Sequence, residues 1–189
     1  MDASKTHSVV LVDGDLTLLN GMEEILKNDT YTLFKYQNAQ EAMQFLENEN
    51  GNVDIIIADN KIAHNDGGNL LVSIQKKYPN IVRVMIVEQA DIEEAQKAVN
   101  AGEMYKFLTK PCNDADELRL VVKHGIAQRD LWIENQKLQQ EIKKHEQTLQ
   151  ALEDEHPGIT QVQKDTDGTI VIDEDNSGSL DNFMKKYFK

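Results

Sequence analysis

Five short apolar runs, separated by amphipathic stretches, constrain the fold of the first two thirds of this chain. Apolar residues between the runs recur at helical spacing, for example Leu16, Leu19 and Met22 after the first run. The first, third and fourth runs are apolar with little alternation, as strands covered on both faces are. This order predicts an α/β fold: a flavodoxin-like, doubly wound, five-stranded parallel sheet. We predict the strands at Ser8–Val12, Thr30–Tyr36, Val53–Ala58, Val82–Val87 and Tyr105–Leu108.

Three of these runs end in a charged residue. Asp13 follows the first run, Asp59 closes the third and Lys110 follows the fifth. Because the carboxyl ends of parallel strands open at one edge of the sheet, we expect these side chains to meet there. Two carboxylates and a lysine at one point suit phosphoryl transfer to a carboxylate beside a divalent cation.

The segments that carry these residues, residues 9–15, 53–59 and 107–111, resemble the receiver (CheY-like) domain of bacterial two-component response regulators. The resemblance covers roughly residues 1–125. It implies that Asp59 accepts a phosphoryl group from a histidine kinase or phosphotransfer protein and that Lys110 contacts the phosphoryl oxygens. It further implies a cis Lys110–Pro111 bond and Mg²⁺ held by Asp13 and Asp59.

Two positions depart from the pattern of that family. Gly14 stands where the family has a second acid that binds the metal directly, and Asp15 would have to reach inward to replace it. The simpler role for Asp15 is at the start of the first helix. Glu88 stands where the family has a Ser or Thr hydroxyl that donates to the phosphoryl group. An ionised Glu cannot donate and would repel the phosphoryl group, although it could instead pair with Lys110.

These departures leave several functions open. Phosphorylation of Asp59 survives with altered metal geometry, or the fold is a pseudo-receiver that serves as a fixed docking surface. A third alternative is a divalent-cation site of Asp13, Asp59 and Glu88 without phosphoryl chemistry. A small α/β phosphoryl-transfer enzyme is disfavoured because no Gly-rich phosphate loop follows the first strand. We favour a non-enzymatic signalling receiver with weak or lost phosphorylation, for which Gly14 makes a full Mg²⁺ ligand set doubtful.

A long helix is predicted after Pro111. No Pro occurs from Asp114 to Leu152, and the apolar residues of residues 126–156 follow a heptad pattern. The pattern predicts a coiled-coil extension that forms a parallel homodimer through residues 126–152. Its seam consists of Leu131, Asn135, Leu138, Ile142, His145, Leu149 and Leu152.

Residues 157–189 differ in character from the helix before them. We predict a β-hairpin around the turn Asp165–Gly168, followed by an acidic segment from Asp173 that resembles the start of an EF-hand calcium loop. Met184 stands at the position of the bidentate Glu, which favours a solvated acidic turn over a calcium site.

The composition limits the partners of the chain. A net charge of −13 argues against a nucleic-acid-binding surface. No apolar stretch approaches the length of a membrane span, the N-terminus lacks the features of a signal peptide, and Cys112 is the only cysteine. We therefore expect a cytoplasmic protein without a membrane or nucleic-acid partner.

Overall fold

The computed structural model of this protein describes residues 6–27, 30–62 and 69–155. The predicted hairpin and calcium-like segment of residues 157–189 lie outside these ranges. The strands are β1 His7–Val12, β2 Tyr31–Tyr36, β3 Ile55–Asp59, β4 Val82–Val87 and β5 Lys106–Thr109. The helices are α1 Leu16–Leu26, α2 Ala39–Asn48, α3 Leu70–Lys77, α4 Ile92–Asn100 and α5 Ala115–Glu155, and a 3₁₀ turn covers Gln89–Asp91.

The five strands form one parallel sheet in the order β2-β1-β3-β4-β5. This order confirms the predicted flavodoxin-like fold, and the predicted strands differ from the observed ones by at most two residues at either end. The largest difference is at β3, where Val53 and Asp54 precede the strand. Every residue of β3 is buried, as expected for the central strand of a doubly wound sheet.

Side chains alternate between the two faces of the sheet and fill two separate apolar cores. On one face, Ile56 and Val10 pack with residues of α2, α3 and α4, such as Leu46. On the other face, Ile55 and Ile57 pack with residues of α1 and α5. The sheet is therefore covered on both sides, and the ends of its strands are left for the site.

Polar side chains fix the starts of four helices. Asp15, Asn38, Asn69 and Asp114 precede α1, α2, α3 and α5, and each side chain accepts a hydrogen bond from a backbone N–H of the first turn. These bonds satisfy amides that have no partner inside the helix. The caps therefore set where each helix begins after its strand.

The 41-residue helix α5 packs against the sheet over its first four turns. Gly125 lies where this contact is closest, because a Cβ atom there would come within 2.8 Å of Ile55 Cδ1 and 3.2 Å of Val82 Cγ1. The buried residues of α5 are Leu118, Val121, Val122, Gly125, Ile126 and Arg129.

The chain divides into two compact units, Met1–Asn135 and Gln136–Lys189. The division at residue 125, which the sequence suggested, stays a prediction. Two residues beyond it, Ile126 and Arg129, are buried within the first unit. In the second unit the structure describes the helical residues 136–155, where Leu138, Ile142 and Leu149 are each about half exposed.

Candidate functional site

Asp13, Asp59 and Lys110 lie together at the carboxyl edge of the sheet. Asp13 follows β1, Asp59 ends β3 and Lys110 follows β5, so three strand ends contribute to one site. Lys110 Nζ is 2.7 Å from Asp59 Oδ2 and 3.0 Å from Asp13 Oδ2. We call these three residues the acidic site. Their convergence is the arrangement that the sequence led us to expect from a parallel sheet.

Among the described residues, two donors hold the Asp59 carboxylate. Its Oδ2 accepts a hydrogen bond from Lys110 Nζ, and its Oδ1 accepts one from the backbone N–H of Lys61 at 2.9 Å. The backbone N–H of Asn60 donates to the carbonyl of Ile86 at 3.0 Å, which ties the turn after β3 to β4. Asp59 is therefore a rigidly placed carboxylate at the rim of the sheet, with 9% of its surface exposed.

Lys110 is the shared cation of the two acids. Partial burial disfavours its charge, but the hydrogen bonds and the charges of Asp59 and Asp13 outweigh that effect and raise the pKa of Lys110 above the ordinary lysine value. Its backbone N–H donates to the carbonyl of Val87 at 2.9 Å, and its peptide bond with Pro111 is cis. Lys110 is thus a permanently charged group at neutral pH.

Asp15 lies beside the acidic site but serves the helix. Its backbone N–H donates to Asp13 Oδ1 at 2.8 Å, while its own carboxylate accepts from the backbone N–H of Thr17 at 2.8 Å. The Thr17 amide holds the pKa of Asp15 below its usual value. The side chain therefore caps α1, and a role as metal ligand would require it to leave that hydrogen bond.

Gly14 leaves open space at the edge of the acidic site. No heavy atom outside its chain neighbours lies within 4 Å of the position that a Cβ would take, and its φ is outside the left-handed region. A larger residue, including the acid usual in the family, would fit there without strain.

Glu88 follows β4 on the exposed side of the strand end. It precedes the 3₁₀ turn and makes no capping hydrogen bond through its side chain. Within the described residues, the ion pairs of Lys110 are with Asp13 and Asp59, so the structure does not bring Glu88 to Lys110. A negative charge nevertheless stands at the rim where the family has a hydroxyl.

The acidic site offers hard oxygen ligands of the kind that Mg²⁺ prefers. Asp13 Oδ2 is buried, and among the described residues its polar contact is the 3.0 Å ion pair with Lys110. Asp13 and Asp59 are therefore the residues that would hold a divalent cation. In the described residues, a third acidic group does not join them as closely: Asp13, Asp59 and Glu88 do not form a cluster of three ligand atoms within 4.8 Å of one another.

A second polar group lies at the opposite edge of the sheet. We call it the basal cluster; it consists of His7, Asp54, Arg129 and Asp130. Arg129 Nη1 pairs with Asp54 Oδ1, and Arg129 Nε donates to the carbonyl of Asn80 at 3.2 Å. Both Asp54 and Arg129 are more than nine-tenths buried. This pair connects the start of β3 with α5 inside the first unit.

His7 completes the basal cluster. Its Nδ1 is 3.6 Å from Asp54 Oδ1 and its Nε2 is 3.8 Å from Asp130 Oδ2. The His7, Asp54 and Asp130 ligand atoms are close enough for a metal ion. The guanidinium of Arg129 already occupies Asp54, so we interpret the cluster as an ion-pair network.

The basal cluster was not predicted from the sequence. Asp54 stood inside an apolar run and was assigned to a strand, and Arg129 is 75 residues further along the chain. A signal was available, because an acid within an apolar run is rarely buried without a cationic partner. Nothing in the sequence singled out Arg129 as that partner.

The profile of the response regulator receiver domain matches residues 9–123. The chain belongs to this family. Receiver domains act in two-component signalling, where they exchange phosphoryl groups with histidine kinases or phosphotransfer proteins, and in general they bind Mg²⁺ at their acidic pocket. Asp13, Asp59 and Lys110 all lie within the matched residues.

Relatives and solved structures agree with this membership. The transcriptional regulatory protein GlrR of Escherichia coli K12 is 29% identical over 124 residues, which cover 66% of this chain and 27% of GlrR. The signal receiver domain of an HD-domain-containing protein from Pseudomonas fluorescens Pf-5 has a TM-score of 0.62 at 26% identity, covering 71% of this chain and 96% of that one. NtrX of Brucella abortus also has a TM-score of 0.62 at 26% identity, with 71% of this chain and 29% of NtrX covered.

The similarity is confined to the receiver portion. The chain spans about a quarter of the length of GlrR. The output activities of such regulators are therefore not attributed to this chain. Among the helices in the described part of the chain, none is long and apolar enough to cross a membrane.

Proposed function

We propose that this chain is a receiver that takes a phosphoryl group on Asp59 weakly or not at all, and that it acts through protein–protein contacts rather than as an enzyme. The observation that carries the proposal is the pairing of Lys110 with both Asp59 and Asp13. This pairing supplies the nucleophile and the cation of phosphoryl transfer. Two other parts are missing: Gly14 provides no second acidic metal ligand, and Glu88 provides no hydroxyl donor for the phosphoryl group.

The transfer itself would proceed at one oxygen of Asp59. A carboxylate oxygen attacks the phosphorus of a phosphohistidine donor, the new O–P bond forms as the P–N bond breaks, and the departing imidazole nitrogen keeps the electron pair and is protonated from solvent. The Lys61 amide orients the other Asp59 oxygen, and Lys110 provides positive charge for the phosphoryl oxygens. We propose that the chain works in the cytoplasm, where receiver domains typically act.

The binding site for the metal ion is the weakest part of the acidic site. Mg²⁺ bound by Asp13 and Asp59 would neutralise charge on the phosphoryl oxygens. Gly14 supplies no third carboxylate, and Asp15 is engaged with α1. Glu88 adds repulsion instead of a hydroxyl donor, on the order of 1–4 kcal/mol depending on the local dielectric. These features support weak or lost phosphorylation.

Intact mass after treatment with acetyl phosphate and Mg²⁺ tests this proposal, with Asp59→Asn as the control. A small fraction of molecules that gain about 80 Da, the mass of a phosphoryl group, in the wild type alone would support a weak receiver. No gain in a folded protein would support the pseudo-receiver alternative, in which Lys110 stays paired with both acids. Full conversion at the rate of ordinary receivers would contradict both.

The long helix is the proposed contact surface for output. Its seam residues Leu131, Leu138, Ile142 and Leu149 are 48–70% exposed, which is unusual for large apolar side chains at heptad spacing. We propose that the seam pairs two copies of the chain in a parallel homodimer through residues 126–152. Asn135 would set the register of that pair.

Light scattering of seam variants tests the homodimer. Leu138→Pro should give a monomer while the circular dichroism of the receiver portion persists. Because proline breaks the helix at any position, a second comparison uses glutamate. Leu138→Glu, in the seam, should give a monomer, whereas its matched control Lys144→Glu, outside the seam, should remain a dimer. A dimer that survives Leu138→Glu would contradict the assignment of the seam.

A further inference from the structure

The positions beside the seam carry charge of one sign in the second unit. In residues 136–155 the seam consists of Leu138, Ile142, His145, Leu149 and Leu152. We define its flanking positions as the residues directly next to it on either side, the e and g positions of the heptad. They are Gln139, Glu141, Glu146, Thr148, Glu153 and Glu155.

The lysines of this segment lie elsewhere on the helix. Lys137, Lys143 and Lys144 fall at the b and c positions, away from the seam. Every charged flanking position is therefore a glutamate. Because flanking residues face those of the partner helix and decide which partner is accepted, this distribution bears on the identity of the partner.

A second copy of the chain is a poor electrostatic match for these flanks. In a parallel pair in register, each g position faces the e position five residues later on the other helix. Glu141 of one copy therefore faces Glu146 of the other, and the symmetry repeats this contact. Thr148 faces Glu153 and offers no opposite charge. The net charge of −13 adds a general repulsion between copies.

A helix with the opposite charge would satisfy the same positions. Lysine or arginine opposite Glu141 and Glu146 turns two repulsive contacts into attractive ones, while the apolar seam stays the same. Leu138, Ile142 and Leu149 are 48%, 57% and 53% exposed, so the apolar contact is available to such a helix.

We propose that the preferred partner of this seam is an amphipathic helix of another protein that carries Lys or Arg at its flanking positions, and that it displaces the second copy of the chain. The inference rests on the proposed role of the helix as a pairing surface. The inference adds the chemical class of the partner, which is a helix with a heptad seam and basic residues that face the acidic flanking positions.

Two synthetic helical peptides with one apolar seam test the inference. One carries Lys at all e and g positions and the other carries Glu there; each is labelled and titrated with the full chain in a fluorescence anisotropy experiment. The Lys peptide should bind about tenfold more tightly or better, since several surface pairs change from repulsive to attractive and each contributes modestly. Because salt screens exposed charges, the difference should shrink at high ionic strength.

Charge reversal on the chain separates the flanks from the overall charge. Glu141→Lys/Glu146→Lys should reverse the preference in favour of the Glu peptide. The matched control Lys137→Glu/Lys144→Glu changes charge on the outer face and should keep the preference for the Lys peptide. Equal binding of both peptides by the wild type, or a preference that follows net charge in both variants, would overturn the inference.

The outcomes also separate this inference from the proposed function. A chain that forms a tight dimer through its seam and ignores both peptides would retain the homodimer and refute the basic partner. A chain that neither self-associates nor binds either peptide would refute the seam as a pairing surface, and the inference with it.

Discussion

Lys110 Nζ lies 2.7 Å from one carboxylate oxygen of Asp59 and only slightly further from Asp13. One cation is thus shared by two acids that come from different strands. A phosphoryl group on Asp59 would compete with Asp13 for Lys110. Phosphorylation of Asp59 would therefore weaken the ion pair at the end of β1.

Replacing Lys110 should change the stability of the protein at alkaline pH. The pKa of Lys110 is higher in the folded chain than in the unfolded one, so its ion pairs stabilise the fold fully below the unfolded value of about 10.4. That contribution is lost as pH rises through the higher folded pKa. Urea unfolding of the wild type should therefore show a loss of stability in this alkaline range that Lys110→Met does not share.

The wild type must be compared with Lys110→Met, because a second group also changes stability at alkaline pH. Burial and nearby acids raise the pKa of Tyr36, and Tyr36 titrates in both proteins. At neutral pH the variant should unfold at a lower urea concentration, since Asp13 and Asp59 lose their shared cation. Parallel alkaline curves for the two proteins would show that the ion pairs contribute nothing to the folded state.

Restoring the residues usual in receivers should restore phosphorylation. Gly14→Asp adds the missing acid in open space, and Glu88→Thr removes the repulsive charge and adds a donor. The double variant should acquire an intact-mass addition with acetyl phosphate in a manner that depends on Mg²⁺. Asp59→Asn in the same background should abolish it.

The single variants apportion the effect. Gly14→Asp alone should strengthen Mg²⁺ binding, whereas Glu88→Thr alone should act mainly on the yield of phosphoprotein. If the folded double variant is as inert as the wild type, neither position is what limits the reaction.

Removing Arg129 should destabilise the first unit severely. Arg129→Met removes the guanidinium from the buried Asp54 carboxylate, and the loss of one partner of a buried ion pair typically costs about 3–5 kcal/mol in the free energy of unfolding. The measurement is urea unfolding. Lys123→Met, on an exposed position of the same helix, should change the stability by less than about 0.5 kcal/mol.

The pairing itself is tested by a double variant. Arg129→Met combined with Asp54→Asn should lose less stability than the sum of the two single losses, because the second change removes the charge that the first one stranded. Additive losses would mean that the two residues do not interact.

Two helix glycines should respond in opposite ways to alanine. Gly21 in α1 has nothing within 4 Å of a Cβ position, so Gly21→Ala should raise the free energy of unfolding by about 0.5–1 kcal/mol through helix propensity. Gly125→Ala gains the same propensity but presses on Ile55 and Val82 in the core.

Thermal unfolding should therefore separate them, with a higher midpoint for Gly21→Ala and an unchanged or lower one for Gly125→Ala. Gly125→Leu should lower it clearly, because overpacking of a filled core typically costs about 1–3 kcal/mol. An increase for Gly125→Leu would show that α5 lies further from the sheet than described.

The fold and the acidic site were predictable because both follow from short-range patterns. Apolar runs of strand length identify a parallel sheet, and the residue that ends each run then has a known edge. That logic placed Asp13, Asp59 and Lys110 together without any knowledge of their distances. It also gave Asp15 its role at the start of α1, because an Asp before an apolar helical stripe is a common cap.

The basal cluster could not be reached in this way. The contact of Asp54 with Arg129 depends on where α5 crosses the sheet, and that position is set by packing at Gly125 rather than by a local pattern. The distance between Glu88 and Lys110 was equally undetermined, because the rotamer of a residue after a strand is not fixed by periodicity. Patterns predict edges and faces, whereas contacts across the sheet require the packed structure.

The ion pair of Asp54 and Arg129 also sets the shortest fragment of this protein that can be expected to fold well. A chain cut after Gly125 would keep every residue of the acidic site. It would nevertheless lose Ile126 from the core and enclose the Asp54 carboxylate with no guanidinium beside it. A fragment cut after Asn135 keeps both residues, so we expect the receiver as a folding unit to extend beyond the end of the family match.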